Sequence, residues 1–263
     1  MPALYDVIGA AYGTTRRADP GIVRSLAGFV EPWAGGNYLD LGCGTGNYTC
    51  ALAPLGGNWH GVDPSLQMLA QAKCKSQSVG WTLGRAESLP YGSETFNGVV
   101  CTLAIHHFAA LESSFAEVFR VLRRGRFVLF TSFPEQMQGY WLCHYFPSMT
   151  ERSWSQMPSE ALVVNALRSA GFSAPEISAF EVTNELQDLF LYSGKHRPSL
   201  YLDAKVRANI SSFAMHCSAP ELERGLESLR NDVSSGRFPA VAKRYTGTSG
   251  DYAFVHVTKP GIS

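Results

Sequence analysis

The stretch Leu39-Asp40-Leu41-Gly42-Cys43-Gly44-Thr45-Gly46-Asn47-Tyr48 ends an apolar segment in an acid and then in a glycine-dense turn. Such a junction marks a strand giving way to a loop whose backbone approaches a nucleotide without intervening Cβ atoms, before a helix begins. The strand is expected over residues 38–41 and the helix over 47–53. A dinucleotide fingerprint wants glycines at the first, third and sixth positions. Here Asn47 holds the sixth position and the third glycine comes one residue early, at Gly46, which disfavours NAD. A second acid, Asp63, closes the apolar segment Trp59-His60-Gly61-Val62, 21 residues after Gly42. At the tip of a second strand its carboxylate accepts from ribose hydroxyls. The plainer alternatives are a tight turn for the glycines and a helix N-cap for Asp63.

At 263 residues and 45% hydrophobic content the chain can bury one substantial core, with room for a smaller appended unit. Lys+Arg and Asp+Glu balance at 22 each. There is thus no basic surplus to neutralise phosphates, so nucleic acid is not an expected substrate and a small-molecule acceptor fits better. The six cysteines form no CxxC pair and read as free thiols of a reducing compartment. The first 20 residues lack a basic segment followed by an apolar one, and no run approaches the roughly 20 apolar residues of a membrane helix. A cytoplasmic location with no membrane partner is the expectation, as a monomer or homodimer.

From residue 38 to 130 short apolar segments alternate with helical ones, which argues for a parallel sheet with right-handed crossovers. Strands are expected over 38–41, 59–62, 81–85, 96–101 and 126–131, and helices over 47–53, 65–73 and 111–122. A further helix over 158–171 leads to a sixth strand at 177–182, and 252–258 makes a seventh. Between the last two lie residues 184–249, with helical periodicity over 200–213 and 221–233. This insertion reads as a helical cap over the ligand face; the alternative is a dimerisation element.

The D-x-G-x-G-x-G junction together with Asp63 resembles motifs of the class I S-adenosylmethionine-dependent methyltransferases. Gly84-Arg85-Ala86-Glu87-Ser88-Leu89-Pro90-Tyr91 is similar to the G-D-A-E-x-L-P-F element of the methyltransferase 11 and ubiquinone-methylase-like group, except that Arg85 replaces the acid that meets the adenine amino group. The resemblance implies an α/β, Rossmann-like sheet of seven strands whose last strand is antiparallel. With the insertion read as a cap over 184–249, the core with its N-terminal lid takes 1–183 and 250–263. The implied cofactor is S-adenosylmethionine, held by Tyr12, Arg16, Asp40, Gly42, Cys43, Gly44, Gly46, Asn47, Asp63, Pro64, Met68, Ala86, Glu87 and Leu103. In that family N-terminal helices fold over the donor, and Arg16 corresponds to a group that pairs with its methionine carboxylate. Arg16 and Arg17 also read as a solvated pair before an Asp19-Pro20 turn.

Leu103-Ala104-Ile105-His106-His107-Phe108 follows the fourth strand, where this fold presents groups to the transferred methyl. Neither the N/D-P-P-Y tetrapeptide of the family's nitrogen methylases nor the F-G-x-R-N-like element of quinone C-methylases stands there, and no acidic cluster suggests a metal. His106, His107 and His144 are candidate general bases, although adjacent histidines on a turn are not expected to face one pocket together. Capping is the plain alternative for the first two. Tyr140, Trp141, Tyr145 and Phe146 crowd the segment after the fifth strand and, with Tyr5, are expected to wall an apolar acceptor site. A buried bridge between core and cap is the alternative. Methyl transfer to a small organic acceptor, possible within natural-product metabolism, is the leading reading. A nicotinamide-dependent oxidoreductase and a non-catalytic cofactor-binding partner subunit are its rivals.

Overall fold

The structure, a computed structural model, describes residues 16–245, 247 and 249–260. Seven strands form one sheet: β1 (Asn37–Leu41), β2 (Asn58–Asp63), β3 (Gly80–Leu83), β4 (Phe96–Thr102), β5 (Leu122–Thr131), β6 (Glu176–Phe180) and β7 (Tyr252–Thr258). Their order is β3-β2-β1-β4-β5-β7-β6, with β7 antiparallel to both β5 and β6 and the other pairs parallel. The central strands β1 and β4 are buried almost throughout, as apolar runs covered on both faces must be, whereas the edge strand β3 is half-buried and the edge strand β6 largely exposed.

Each face carries its own core. On one, Leu39, Leu41, Val99, Phe127 and Val255 meet Phe115 and Val118 of the helix Leu111–Val121 and Val163 and Leu167 of the helix Glu160–Ser169. On the other, Tyr38, Val100, Val128, Phe130 and Phe254 join a cluster that runs on into the helices between β6 and β7.

Helix α1 (Pro20–Val30) goes unread at the sequence level, yet its signal is there. Asp19 Oδ1 accepts from the backbone of Gly21 and Ile22 at 2.8 and 3.1 Å, and Pro20 fits the first turn, where its missing N–H costs nothing. The Asp19-Pro20 pair, expected as a turn, is therefore a helix start with Asp19 as its cap. Ile22, Val23, Leu26 and Val30 bury the face it presents to the sheet.

The helix expected over 200–213 is three pieces. They are a 3-10 turn at Pro198–Leu202, a short helix at Ala204–Ala208 and another at Ser211–His216. Asp203 caps the middle piece through Lys205 N at 2.8 Å, and the Asn209 side chain donates to Lys205 O at 2.9 Å before Ile210 turns extended. Local hydrogen bonding by Asp and Asn thus overrides the apolar period. The helix expected over 221–233 spans Ala219–Ser234, capped by Ser218. Ser211–His216 packs on Pro147–Ser155, and Ala219–Ser234 on Leu142–Tyr145, so the elements after β5 and those before β7 form one body.

Candidate functional site

Loops from the carboxyl ends of β1, β2, β4 and β5 surround a cavity of about 570 Å³, at the point where the strand order turns back between β1 and β4. Open α/β sheets bind ligands in that crevice. Arg16, Gly42, Cys43, Gly44, Asn47, Asp63, Pro64, Met68, Leu103, His106 and His107, all candidates from the sequence, line it.

The three loop glycines do different work. All have positive φ, +70° at Gly42, +52° at Gly44 and +73° at Gly46. A Cβ at Gly42 would sit 2.7 Å from Ala104 Cβ and one at Gly46 2.3 Å from the Trp81 ring, whereas at Gly44 nothing lies within 4 Å. The outer two permit packing; the middle one leaves open space at the cavity wall. Gly44 N donates to Asp63 Oδ2 and Ser65 N to Asp63 Oδ1, both at 2.9 Å. The loop is braced from outside by Lys75, whose Nζ donates to Thr45 O at 2.8 Å and Asn47 Oδ1 at 2.6 Å.

After β4, Leu103 adopts φ +53°, a left-handed conformation that a non-glycine residue rarely holds and that clusters at ligand sites. Ile105–His107 then forms a 3-10 turn, and both histidines line the cavity with ring centroids 3.9 Å apart. The expectation that neighbouring histidines cannot share one pocket is corrected, because the tight turn brings their rings together. Burial lowers both: His107 falls to about 4, and His106, further opposed by His107, lies well below the ordinary imidazole value. Both are neutral at pH 7.

Arg16 reaches the cavity from the edge of the described chain. Its Nε donates to Asp188 Oδ1 at 2.5 Å and a terminal nitrogen to Oδ2 at 3.2 Å, while Asn47 Nδ2 donates to Arg16 O at 2.9 Å. Arg16 is thus no solvated charge. The Tyr48 hydroxyl donates to Asp188 Oδ2 at 3.0 Å, and burial followed by the Asp188 charge holds that phenol protonated.

Four expected donor contacts stand behind the cavity wall instead. Asp40 is buried, accepts from Thr49 Oγ1 at 2.6 Å and has its carboxyl pushed up to about 7 by burial. Gly46 faces Trp81, Ala86 lies in the core, and Glu87 Oε1 accepts from Ala109 N at 2.6 Å, fastening the loop after β4. Arg85, in the place of the family's acid, does line the cavity.

The expected acceptor wall is corrected as well. None of Tyr140, Trp141, Tyr145 and Phe146 lines the cavity; all four are buried as a bridge to the insertion. Tyr140 stacks on Tyr192 with centroids 3.8 Å apart, Trp141 Nε1 donates to Lys195 O at 3.0 Å, Tyr145 OH donates to Asp232 Oδ2 at 3.0 Å, and Phe146 meets Phe213 edge-on. His144 is exposed and outside the cavity. Tyr5 and Tyr12 lie outside the described residues. In their stead the wall is made by Ser132, Met137, Ser153, Gln156, Met157, Phe190, Leu191, Ile210, Ser211, Ser212 and Tyr252. No local pattern flags them, since they arrive from separate elements.

The residues fit an S-adenosyl donor. The open face at Gly44 would be filled by any Cβ, and Asp63, at the tip of β2, lines the same cavity. Thr102 Oγ1 and His106 Nδ1, on cavity-lining residues, are buried without a hydrogen-bond partner.

Residues 39–130 match the methyltransferase domain family. A solved structure from Anabaena variabilis, assigned as a methyltransferase from an antibiotic biosynthesis pathway, superposes with a TM-score of 0.84 at 35% identity, over 93% of this chain and 99% of that one. The uncharacterized methyltransferase YcgJ of Bacillus subtilis is 36% identical over 97 residues, 35% of this chain and 38% of that protein. The malonyl-[acyl-carrier protein] O-methyltransferase of Salmonella typhimurium is 32% identical over 109 residues, 40% of this chain and 43% of that protein. The matched stretch spans less than half the length of these curated relatives.

Proposed function

This chain belongs to the class I S-adenosylmethionine-dependent methyltransferases, and on that premise we propose that it methylates a small, uncharged organic molecule of natural-product metabolism. The observation that carries the proposal is that one cavity joins the donor-side residues Gly44, Asp63 and Leu103 to a chamber of hydroxyl, amide, thioether and aromatic side chains. Among the described residues no cationic side chain lines it beyond Arg16, Arg85 and the histidines, which disfavours a phosphorylated acceptor. The relation to an Anabaena protein assigned to antibiotic biosynthesis supports the metabolic setting.

S-adenosylmethionine supplies an already activated methyl group, so alignment in a closed site can provide most of the acceleration. Asp63 would hold the ribose, and the Gly44 backbone would lie against the donor. His106 and His107, both neutral, accept a hydrogen bond from the acceptor and orient it; with His107 at about 4, proton removal by imidazole is a weak contribution. Residues 184–249 act as a cap, contributing Asp188, Phe190, Leu191, Ile210, Ser211 and Ser212 to the cavity wall and limiting access of water. The helices Leu142–Tyr145 and Pro147–Ser155 carry that cap.

The test is incubation with trideuteromethyl-labelled S-adenosylmethionine and a panel of uncharged phenols, alcohols and amides, read by mass spectrometry. Labelled product from that panel, with none from phosphorylated or polyanionic acceptors, is expected. Turnover confined to anionic acceptors would overturn the substrate class.

A further inference from the structure

Asp188 matches no motif, yet it is 1% exposed, lines the cavity and sits in an ion pair with Arg16, whose side chain is 13% exposed. Withdrawing two charges from water is costly unless the surroundings compensate both. The pair is placed over the first residues of α2 (Asn47–Leu52), with Asn47 holding the Arg16 backbone and Tyr48 holding the Asp188 carboxylate. Asp63, at the tip of β2, accepts from Gly44 N, and Pro64, Met68 and Arg85 line the same cavity. A donor with its ribose at Asp63 and its adenine toward Met68 therefore directs its amino-acid end to Arg16 and Asp188.

That end is a zwitterion. If Arg16 alone met the carboxylate, a buried ammonium would remain without a counter-charge. We infer that Asp188 is the acceptor for the donor's α-ammonium, and that Arg16 and Asp188 together form a paired-charge receptor for the zwitterionic end of S-adenosylmethionine. This rests on the proposed placement of the donor in the cavity. Three donors reach the carboxylate, one at Oδ1 and two at Oδ2, so a carboxylate with about four acceptor sites keeps one for the ammonium on Oδ1. Alternation of guanidinium, carboxylate, ammonium and carboxylate leaves no charge unpaired. Tyr48 fixes the orientation and, kept protonated, does not compete as an anion.

The experiment is calorimetric titration of the wild type and of Asp188→Asn with S-adenosylhomocysteine, its deaminated analogue and 5′-methylthioadenosine, which lacks the amino-acid end. The wild type should prefer S-adenosylhomocysteine over the deaminated analogue by tenfold or more. In Asp188→Asn this preference should shrink to within about twofold, with 5′-methylthioadenosine affinity unchanged, and Asp188→Glu should restore part of it. Equal weakening of all three ligands would assign Asp188 a purely structural role and overturn the inference. So would a preference retained in Asp188→Asn. Weakened S-adenosylmethionine with unaltered S-adenosylhomocysteine binding would place the carboxylate at the sulfonium and overturn it too. Failure of the wild type to bind any of the ligands would instead remove the donor placement. Should Asp188→Asn not fold, Asp188→Ser carries the comparison, and an undiminished preference for the amine there, or an equal weakening of all three ligands, overturns the inference.

Discussion

The Gly44 N–H donates to Asp63 Oδ2 at 2.9 Å, so the tip of β2 fixes the middle of the glycine loop at the end of β1. The same carboxylate shapes the loop and lines the cavity. Its second oxygen takes the Ser65 N–H, which turns the chain into the helix Leu66–Lys75. The geometry of the glycine loop and of the helix after β2 is therefore coupled through a single cavity-lining side chain.

Removing that carboxylate should cost donor affinity twice over. Hydrogen bonds to a charged group contribute about 1.5–3 kcal/mol each, so Asp63→Ala should weaken S-adenosylhomocysteine binding by at least about tenfold. Asp63→Asn should not rescue it, because an amide nitrogen would face the Gly44 or Ser65 N–H, donor against donor. Isothermal calorimetry decides; wild-type affinity in the asparagine variant would contradict the role.

Gly44 and Gly46 should separate binding from folding. Gly44→Val places its side chain in open space, at the cost of a strained φ of +52°, and should abolish donor binding with a modest fall in Tm. Gly46→Ala drives a Cβ to 2.3 Å from Trp81 and 3.1 Å from Ala72 at a strained φ of +73° and should destabilise the fold by about 1–3 kcal/mol or more. Thermal melts and donor titration of both variants check the pair; the same pattern in both would contradict the division of roles.

The legibility of this fold varies with the range of the forces involved. The β1 junction, Asp63 and β7 could be read because strand, turn and acid are contiguous, and β7 runs Tyr252–Thr258 as expected. Helix α1 was legible in principle from Asp19-Pro20 and its apolar spacing. The aromatics Tyr140 to Phe146 mislead, since a dense aromatic run serves a buried bridge as well as it serves a pocket, and only contacts with Tyr192, Lys195, Asp232 and Phe213 decide between them. Asp188 has no local signature. Its meaning comes from Arg16, 172 positions away.

Neutral histidines at the cavity carry a pH signature. An unfolded imidazole titrates near 6.5, while His107 in the fold titrates at about 4 and His106 is lowered too. Between those values the unfolded chain binds protons that the folded one refuses, so stability falls as pH drops from about 6.5 toward 4. His107→Gln should lose less Tm on acidification from pH 7.5 to 5 than the wild type. Parallel melting curves would contradict the lowered value.

Asp40 acts with the opposite sign. Its folded carboxyl titrates at about 7 against 3.8 for the free group, so the folded state holds the extra proton and stability declines as pH rises through that interval. Asp40→Asn keeps an oxygen for the Thr49 hydroxyl and removes the buried charge. Its Tm relative to wild type should rise between pH 5 and 8.5, by an amount on the order of a few kcal/mol in stability. A constant difference at both pH values would exclude the raised carboxyl.

The most direct measurement of the central claim is a calorimetric titration of the wild-type chain with S-adenosylhomocysteine, alongside NADH and repeated in Gly44→Val. Saturable binding of S-adenosylhomocysteine at one site per chain, no binding of NADH and loss of binding in Gly44→Val is the expected result. Wild-type affinity retained in Gly44→Val, or NADH binding in place of S-adenosylhomocysteine, would contradict a donor site built on the Gly44 loop and Asp63.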